Sequence, residues 1–258
     1  MALTFRRLVG SVARKLAPAR DRLEYAPDGW ATRLPNNSSS QDYWAADIGR
    51  QHEACERLIA RVRAGESITG IDPDERIKHE TFGQVIDILA QQQRRLSVLD
   101  VGGNLGDYYW IGKALAPGVE LEFHCRELPP VAAAGRAVNP AVQFHTDDHC
   151  FDRRYDLVMF SSSLQCLREW QHSLGRAAGA GSYVFLSDVP TVNTVPSFVV
   201  AQQSGTVANL HQVFNRAEIL NAAERAGLRV IREFPMGPHP AVANAPEQPT
   251  CVGWLFRH

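Results

Sequence analysis

Apolar positions recur along this chain with two periods, and the switch between them divides it. Leu3, Phe5, Leu8, Val9, Val12 and Leu16 fall near one face of a helix. Tyr43, Trp44, Ile48, Ala54, Leu58, Ile59 and Val62 predict a second helix, capped by Asp42 or Ser40 and stopped near Gly65. Asp72-Pro73-Asp74-Glu75 starts a third, which runs through Ile77, Phe82, Val85, Ile86 and Leu89 towards Gln93. From Leu96 the pattern shortens into strand-like apolar runs: Leu96 to Val101, Val119 to Cys125, Ala141 to His145, Tyr155 to Phe160 and Ser182 to Leu186. Helix-compatible stretches separate several of them, at Asp107 to Leu115, Pro130 to Val138 and Leu164 to Ala177. Strands and helices alternating at these lengths imply a parallel sheet covered on both faces. The end differs: a helix from Asn215 to Gly227, a strand from Leu228 to Phe234, a Pro-, Gly- and Ala-rich loop, and a last strand from Cys251 to Phe256. Two strands joined without a helix pair antiparallel. The expected division is an N-terminal helical cap, residues 1–94, and an α/β domain, residues 95–258.

Composition narrows the function classes. The formal net charge is −1, with 27 basic and 28 acidic residues, so nothing favours non-specific nucleic-acid binding. No apolar run approaches the length of a membrane span. The five cysteines are scattered without a CxxC pair and read as reduced thiols of a cytoplasmic protein. Residues 1–20 carry Arg6, Arg7, Arg14, Lys15 and Arg20 and no acid. Three readings of that segment stand: a helix docked on its own protein or a partner, which is preferred, a peripheral membrane helix, and an organelle transit peptide.

The most informative stretch joins the first strand to the helix after it: Leu99-Asp100-Val101-Gly102-Gly103-Asn104-Leu105-Gly106-Asp107-Tyr108-Tyr109. Glycines at a strand–turn–helix junction let backbone approach a ligand, and the helix start offers free N–H groups. The pattern Asp-x-Gly-Gly-x-x-Gly differs from the dinucleotide fingerprint in its acid and in its displaced glycines. It resembles motif I of the class I S-adenosylmethionine-dependent methyltransferases at Asp100, Gly102 and Gly106. It departs at Asn104, where a glycine is usual, with Gly103 one place early. Together with the Ser-rich end of the fourth strand, Val195 to Val199, and His211 followed by Phe214-Asn215-Arg216, it is similar to a group of uncharacterised bacterial methyltransferases.

That resemblance implies a Rossmann-like, mostly parallel seven-stranded sheet in order 3-2-1-4-5-7-6, the last strand antiparallel. It implies S-adenosylmethionine as cofactor, bound at the carboxyl ends of the strands. Asp100, Gly102, Gly103, Asn104, Gly106 and Tyr108 are the expected lining of its amino-acid end. Glu127, ending the second strand, is expected to hold the ribose hydroxyls, a role that fits a dinucleotide equally well. Asp147 and Asp148, ending the third, are candidates for adenine, with Asp148 preferred, and Ser161 and Ser162 for contacts at the end of the fourth. His145, His149 and Cys150 lack the paired spacing of a zinc site, so no metal is expected. His211, on an insert expected to overhang the methyl group, is the candidate base. The expected function is methyl transfer to a small-molecule or saccharide-precursor acceptor at a hydroxyl. The rivals are a nicotinamide-dependent oxidoreductase and a catalytically degenerate cofactor-binding partner protein.

Overall fold

The computed structural model describes residues 22–37, 39–68 and 73–258. The basic segment at residues 1–20 and the expected helix cap Asp72 lie outside the described residues. No helix among those described is long and apolar enough to cross a membrane.

Strand β1 (Arg22–Ala26) comes first, then helices α1 (Ser40–Ala45), α2 (Ile48–Arg63) and α3 (Pro73–Ala90). The expected single helix over residues 42–62 is two. Ser39, rather than Asp42 or Ser40, caps α1 in a reciprocal capping box with Asp42. Asp47 interrupts the helix at φ −108°, ψ 0° and accepts from Arg50 Nε at 2.7 Å. Proline opens α3, where its fixed φ suits the first turn and its missing N–H costs nothing.

The alternating region follows as β2 (Arg95–Val101), α4 (Asp107–Leu115), β3 (Glu120–Arg126), α5 (Pro129–Val138), β4 (Gln143–His145), β5 (Tyr155–Ser161), α6 (Trp170–Ala180) and β6 (Gly181–Val192). The chain then makes β7 (Phe198–Ser204), β8 (Val207–Asn215), α7 (Arg216–Arg225), β9 (Arg229–Pro238) and β10 (Thr250–Arg257). Strands β4, β3, β2, β5 and β6 pair in parallel in that order. Strand β10 lies antiparallel between β6 and β9. The seven-stranded order that the resemblance implies is therefore present.

Alternation along β2 sends Leu96 and Val98 to one face and Leu99 and Val101 to the other. The first face packs on Phe82, Val85, Ile86 and Leu89 of α3 and Ile111 of α4. The second packs on Trp170 and Leu174 of α6 and Ile219 of α7. Each such buried side chain is worth about 1.5–3 kcal/mol.

Two features go beyond the expected plan. The stretch read as an insert before Asn215 is a β-hairpin, β7–β8, closed by Gly205 and Thr206. Strand β1 adds to its edge, pairing Arg22–Ala26 antiparallel with residues 199–203. The expected N-terminal cap is thus only partly helical, and part of it belongs to the sheet. The hairpin has a reason to form here. Strand β6 continues six residues beyond the predicted Leu186, and Thr191 and Val192 pair with Phe214 and Asn215.

Candidate active site

The carboxyl ends of β2, β3 and β5 open into a cleft of about 380 Å³, roofed by α1, α2 and α3. Gly102, Gly103, Asn104, Tyr108, Glu127, Ser161 and Ser162 line it, as does Asp107. Lining residues that sequence reasoning missed include Gln51, Glu75, Lys78, His79, Arg126 and Cys166. Trp44, expected on the cap, lines it too.

The floor is the β2 turn. Gly102 donates its N–H to Arg126 O at 2.8 Å, which prolongs the β2–β3 pairing. Its φ is +74°, and a Cβ there would stand 2.5 Å from the Ser163 Cβ. Glycine at 102 therefore serves the protein's own packing against the β5 end. Asn104 is left-handed at φ +55°, a conformation asparagine tolerates better than other side chains. That accounts for the departure from the usual glycine. Asn139 pins the turn from behind. It is fully buried, and its Nδ2 donates to Leu105 O at 3.1 Å and Gly106 O at 3.0 Å.

Carboxylates concentrate under this turn. Asp100 is fully buried and accepts from Ser161 Oγ at 2.8 Å, while its Oδ2 has no partner. Burial pushes its pKa up to about 7, against the Ser161 hydrogen bond and aided by the nearby Glu127 charge. Glu127 accepts from Asn104 N–H at 2.9 Å and Leu128 N–H at 2.7 Å. Burial raises its pKa, those hydrogen bonds opposing. A carboxylate has about four acceptor positions, so two remain for a ligand. Asp107 is also raised by burial, and its Oδ1 has no partner. The two cations on the lining are already engaged. Arg126 pairs with Asp148 at 3.0 Å, and Lys78 lies 2.9 Å from Glu75 and 3.6 Å from Asp188.

Backbone strain gathers at the same place. Of five left-handed non-glycine residues among those described, Asn104 and Ser162 line the cleft and Asp188 contacts the lining residue Lys78. Ser162, at φ +57°, donates to the Asp188 carboxylate at 3.0 Å, and Asp188 is itself at φ +57°. Ser163 Oγ donates to Val101 O.

Asp100 and Gly106, expected on the lining, sit buried behind the turn instead, and three further expected residues are elsewhere. Asp147 caps the 3-10 turn at residues 148–152 by accepting from His149 N–H at 3.0 Å. Asp148 holds Arg126. Neither lines the cleft, although Arg126, which Asp148 holds, does. His211 is not on an overhanging loop but inside β8, 5% exposed, with Nε2 unpartnered and its ring 6.0 Å from that of His239. Burial, then His239, depress its pKa to about 3. A ring so placed is off the lining of the cleft and binds protons poorly, which does not suit it to act as the base. Among the described residues no group of three or more His, Cys, Asp or Glu is placed to hold a metal ion.

No protein-family model and no curated protein matches the sequence. Solved structures do match. A 1,6-didemethyltoxoflavin-N1-methyltransferase from Burkholderia thailandensis aligns over 93% of this chain and 99% of its own, with TM-score 0.53 and 14% identity. An O-methyltransferase family protein from the same organism aligns over 98% of this chain and 70% of its own, with TM-score 0.50 and 16% identity. At such identities the likeness is one of architecture, and with the strand order above it establishes that this chain has the Rossmann-like fold of the methyltransferases.

Proposed function

We propose that the protein is an S-adenosylmethionine-dependent methyltransferase acting on a small-molecule or saccharide-precursor acceptor at a hydroxyl. One observation carries the cofactor reading. The carboxylates of Asp100, Asp107 and Glu127 gather at the β2 turn, while both lining cations are paired to acids. A ligand with an ammonium and a sulfonium relieves that arrangement, whereas a dinucleotide's pyrophosphate adds to it. The first Burkholderia neighbour, crystallised with 1,6-didemethyltoxoflavin and S-adenosylhomocysteine, supports the same reading.

Bound S-adenosylmethionine supplies an electrophilic methyl group on sulfur. The chain's part is binding, orientation and exclusion of water. Glu127 has acceptor positions left for both ribose hydroxyls, and the turn at residues 102–104, with Asp100 buried beneath it, receives the ammonium end. Tyr108 and Trp44 wall the cleft from the side of the helices. Ser162, held by Asp188, fixes the end of β5 beside the reacting centre. One neighbour's name assigns methylation to nitrogen and the other belongs to an O-methyltransferase family, so the fold leaves the acceptor atom to the residues of the roof.

Isothermal calorimetry with S-adenosylhomocysteine and with NAD tests the reading. Saturable binding of the first and none of the second is expected. Binding of NAD alone would replace the proposal with the oxidoreductase. An acceptor screen with labelled methyl donor then identifies the substrate.

A further inference from the structure

We infer that His79, on α3, is the group that takes the acceptor's proton, its ring oriented by Glu75 one turn earlier; this rests on the methyl-transfer reading of the cleft. Residues 75, 78 and 79 share one helix face by their spacing, and all three line the cleft. The His79 side chain is 14% exposed, and its Nε2 lies 3.7 Å from Glu75 Oε2. Its ring meets Tyr108 edge to face, with centroids 6.2 Å apart at 89°. A carboxylate on the Nε2 side favours the proton there and leaves Nδ1 with the lone pair.

The other ionisable groups of the wall are unsuited. Lys78 is held protonated: burial works against its charge, but Asp188 and Glu75 outweigh it and raise its pKa. The Cys166 thiol is pushed up to about 12 by burial, and the Tyr108 hydroxyl is raised well above its usual value, again mainly by burial. Glu127 is committed to two backbone N–H groups and, in the reading above, to the ribose hydroxyls. Asp107 is raised by burial but already accepts the Cys55 thiol. His79 itself is lowered, chiefly by burial, with Glu75 raising and Lys78 lowering it. The charged or titratable groups facing it are Glu75 and Lys78 from α3 and Tyr108 from α4, with Asp188 of β6 acting through Lys78. At neutral pH the ring is uncharged and able to accept a proton.

The step balances simply. The acceptor oxygen's lone pair forms the C–O bond, the C–S bonding pair stays on sulfur, and the hydroxyl proton passes to the His79 imidazole.

The test uses the full chain saturated with S-adenosylhomocysteine, and the variants His79→Gln, Glu75→Gln and His211→Gln. Long-range 1H–15N correlation reads the tautomer of His79. A neutral ring protonated on Nε2 at neutral pH is expected. A charged ring, or one protonated on Nδ1, overturns the assignment whether or not an acceptor is in hand. Methyl transfer from labelled donor is then measured on a panel of phenols and sugar hydroxyls. His79→Gln should keep S-adenosylhomocysteine affinity and lose turnover by roughly 10²–10⁴-fold. The parent's rate should fall on the acid side, and that limb should vanish in His79→Gln and move to lower pH in Glu75→Gln. His211→Gln should turn over like the parent. Parent-like turnover in His79→Gln overturns the proposal. Failure of the parent itself to bind S-adenosylhomocysteine would instead sink the methyl-transfer reading beneath it.

Discussion

The two walls of the cleft are held in different ways. On the floor, the groups that fix geometry are mostly backbone. Gly102 N–H reaches Arg126 O, and Asn104 and Leu128 N–H groups reach Glu127. These contacts join turns that each follow a strand, so their positions come with the parallel sheet. On the roof, the contacts are between side chains from distant segments. Lys78 of α3 meets Asp188 of β6, Ser162 just past β5 meets the same carboxylate, and Trp44 arrives on the six-residue α1. A floor fixed by backbone pairing suits an invariant ligand. A roof of ionic side chains can be re-chosen without disturbing the sheet, and acceptor choice then belongs there.

The sharpest way to break this contrast is at Gly102. Alanine there must adopt a left-handed φ and press on Ser163, a combined cost of roughly 2–5 kcal/mol. Gly49→Ala on α2, where an added Cβ meets nothing within 4 Å, is the control. Urea unfolding should show a large loss for the first and none for the second. A Gly102→Ala protein as stable as the parent would mean the floor is not held as described.

Glu127→Ala comes next. It removes the acceptor of two backbone N–H groups and the proposed ribose contact, so S-adenosylhomocysteine affinity should fall by about 1–3 kcal/mol. Adenosine-containing ligands with and without ribose hydroxyls separate the two effects. Equal losses for both would leave Glu127 as a support for the turn alone.

His211→Gln probes the buried hairpin through pH. The folded ring has a pKa of about 3, depressed by burial and His239, whereas an unfolded histidine titrates near about 6.5. Between those values the unfolded state binds the extra proton, so stability falls as pH drops through this window, by up to about 1.4 kcal/mol per pH unit. Asp100 works oppositely: its folded pKa of about 7 is raised, so its contribution is lost as pH rises from about 4 towards 7. Parent and variant must therefore be compared at each pH. The variant should lose less on acidification from pH 7 to pH 5, by roughly 1–2 kcal/mol. Parallel curves would show that the ring titrates normally.

The smallest effect is expected at Ser39→Ala, which removes the capping box of α1 and should cost about 1 kcal/mol locally. Hydrogen exchange over residues 40–45 should quicken while S-adenosylhomocysteine affinity holds. A drop in that affinity would tie the roof to the floor more tightly than their contacts indicate.

Much of the fold was legible because period-two and helical patterns are local. The strands β2 to β6, the helices between them and the antiparallel ending follow from apolar runs and from one helix-free connection. The turn at Asp100 to Gly106 was legible for the same reason, since a strand, glycines and a helix start are contiguous. The hairpin has a local signal as well: Gly205 between the β-prone runs 198–204 and 207–215. What the sequence could not give was distance between segments. Asp147 and Asp148 stand where a ligand contact is expected in sequence, yet one caps a turn and the other holds Arg126. His211 looked like a residue on a free insert, and strand pairing with β7 buried it instead. Conversely, nothing in Glu75, Lys78 and His79 marks them in the sequence beyond the polar face of a helix. They became a cleft wall only when α3 packed across the sheet through Phe82, Val85, Ile86 and Leu89. Hydrophobic periodicity determines which face of an element is buried; which polar groups then meet depends on how the buried faces stack, and that is settled only by the tertiary structure.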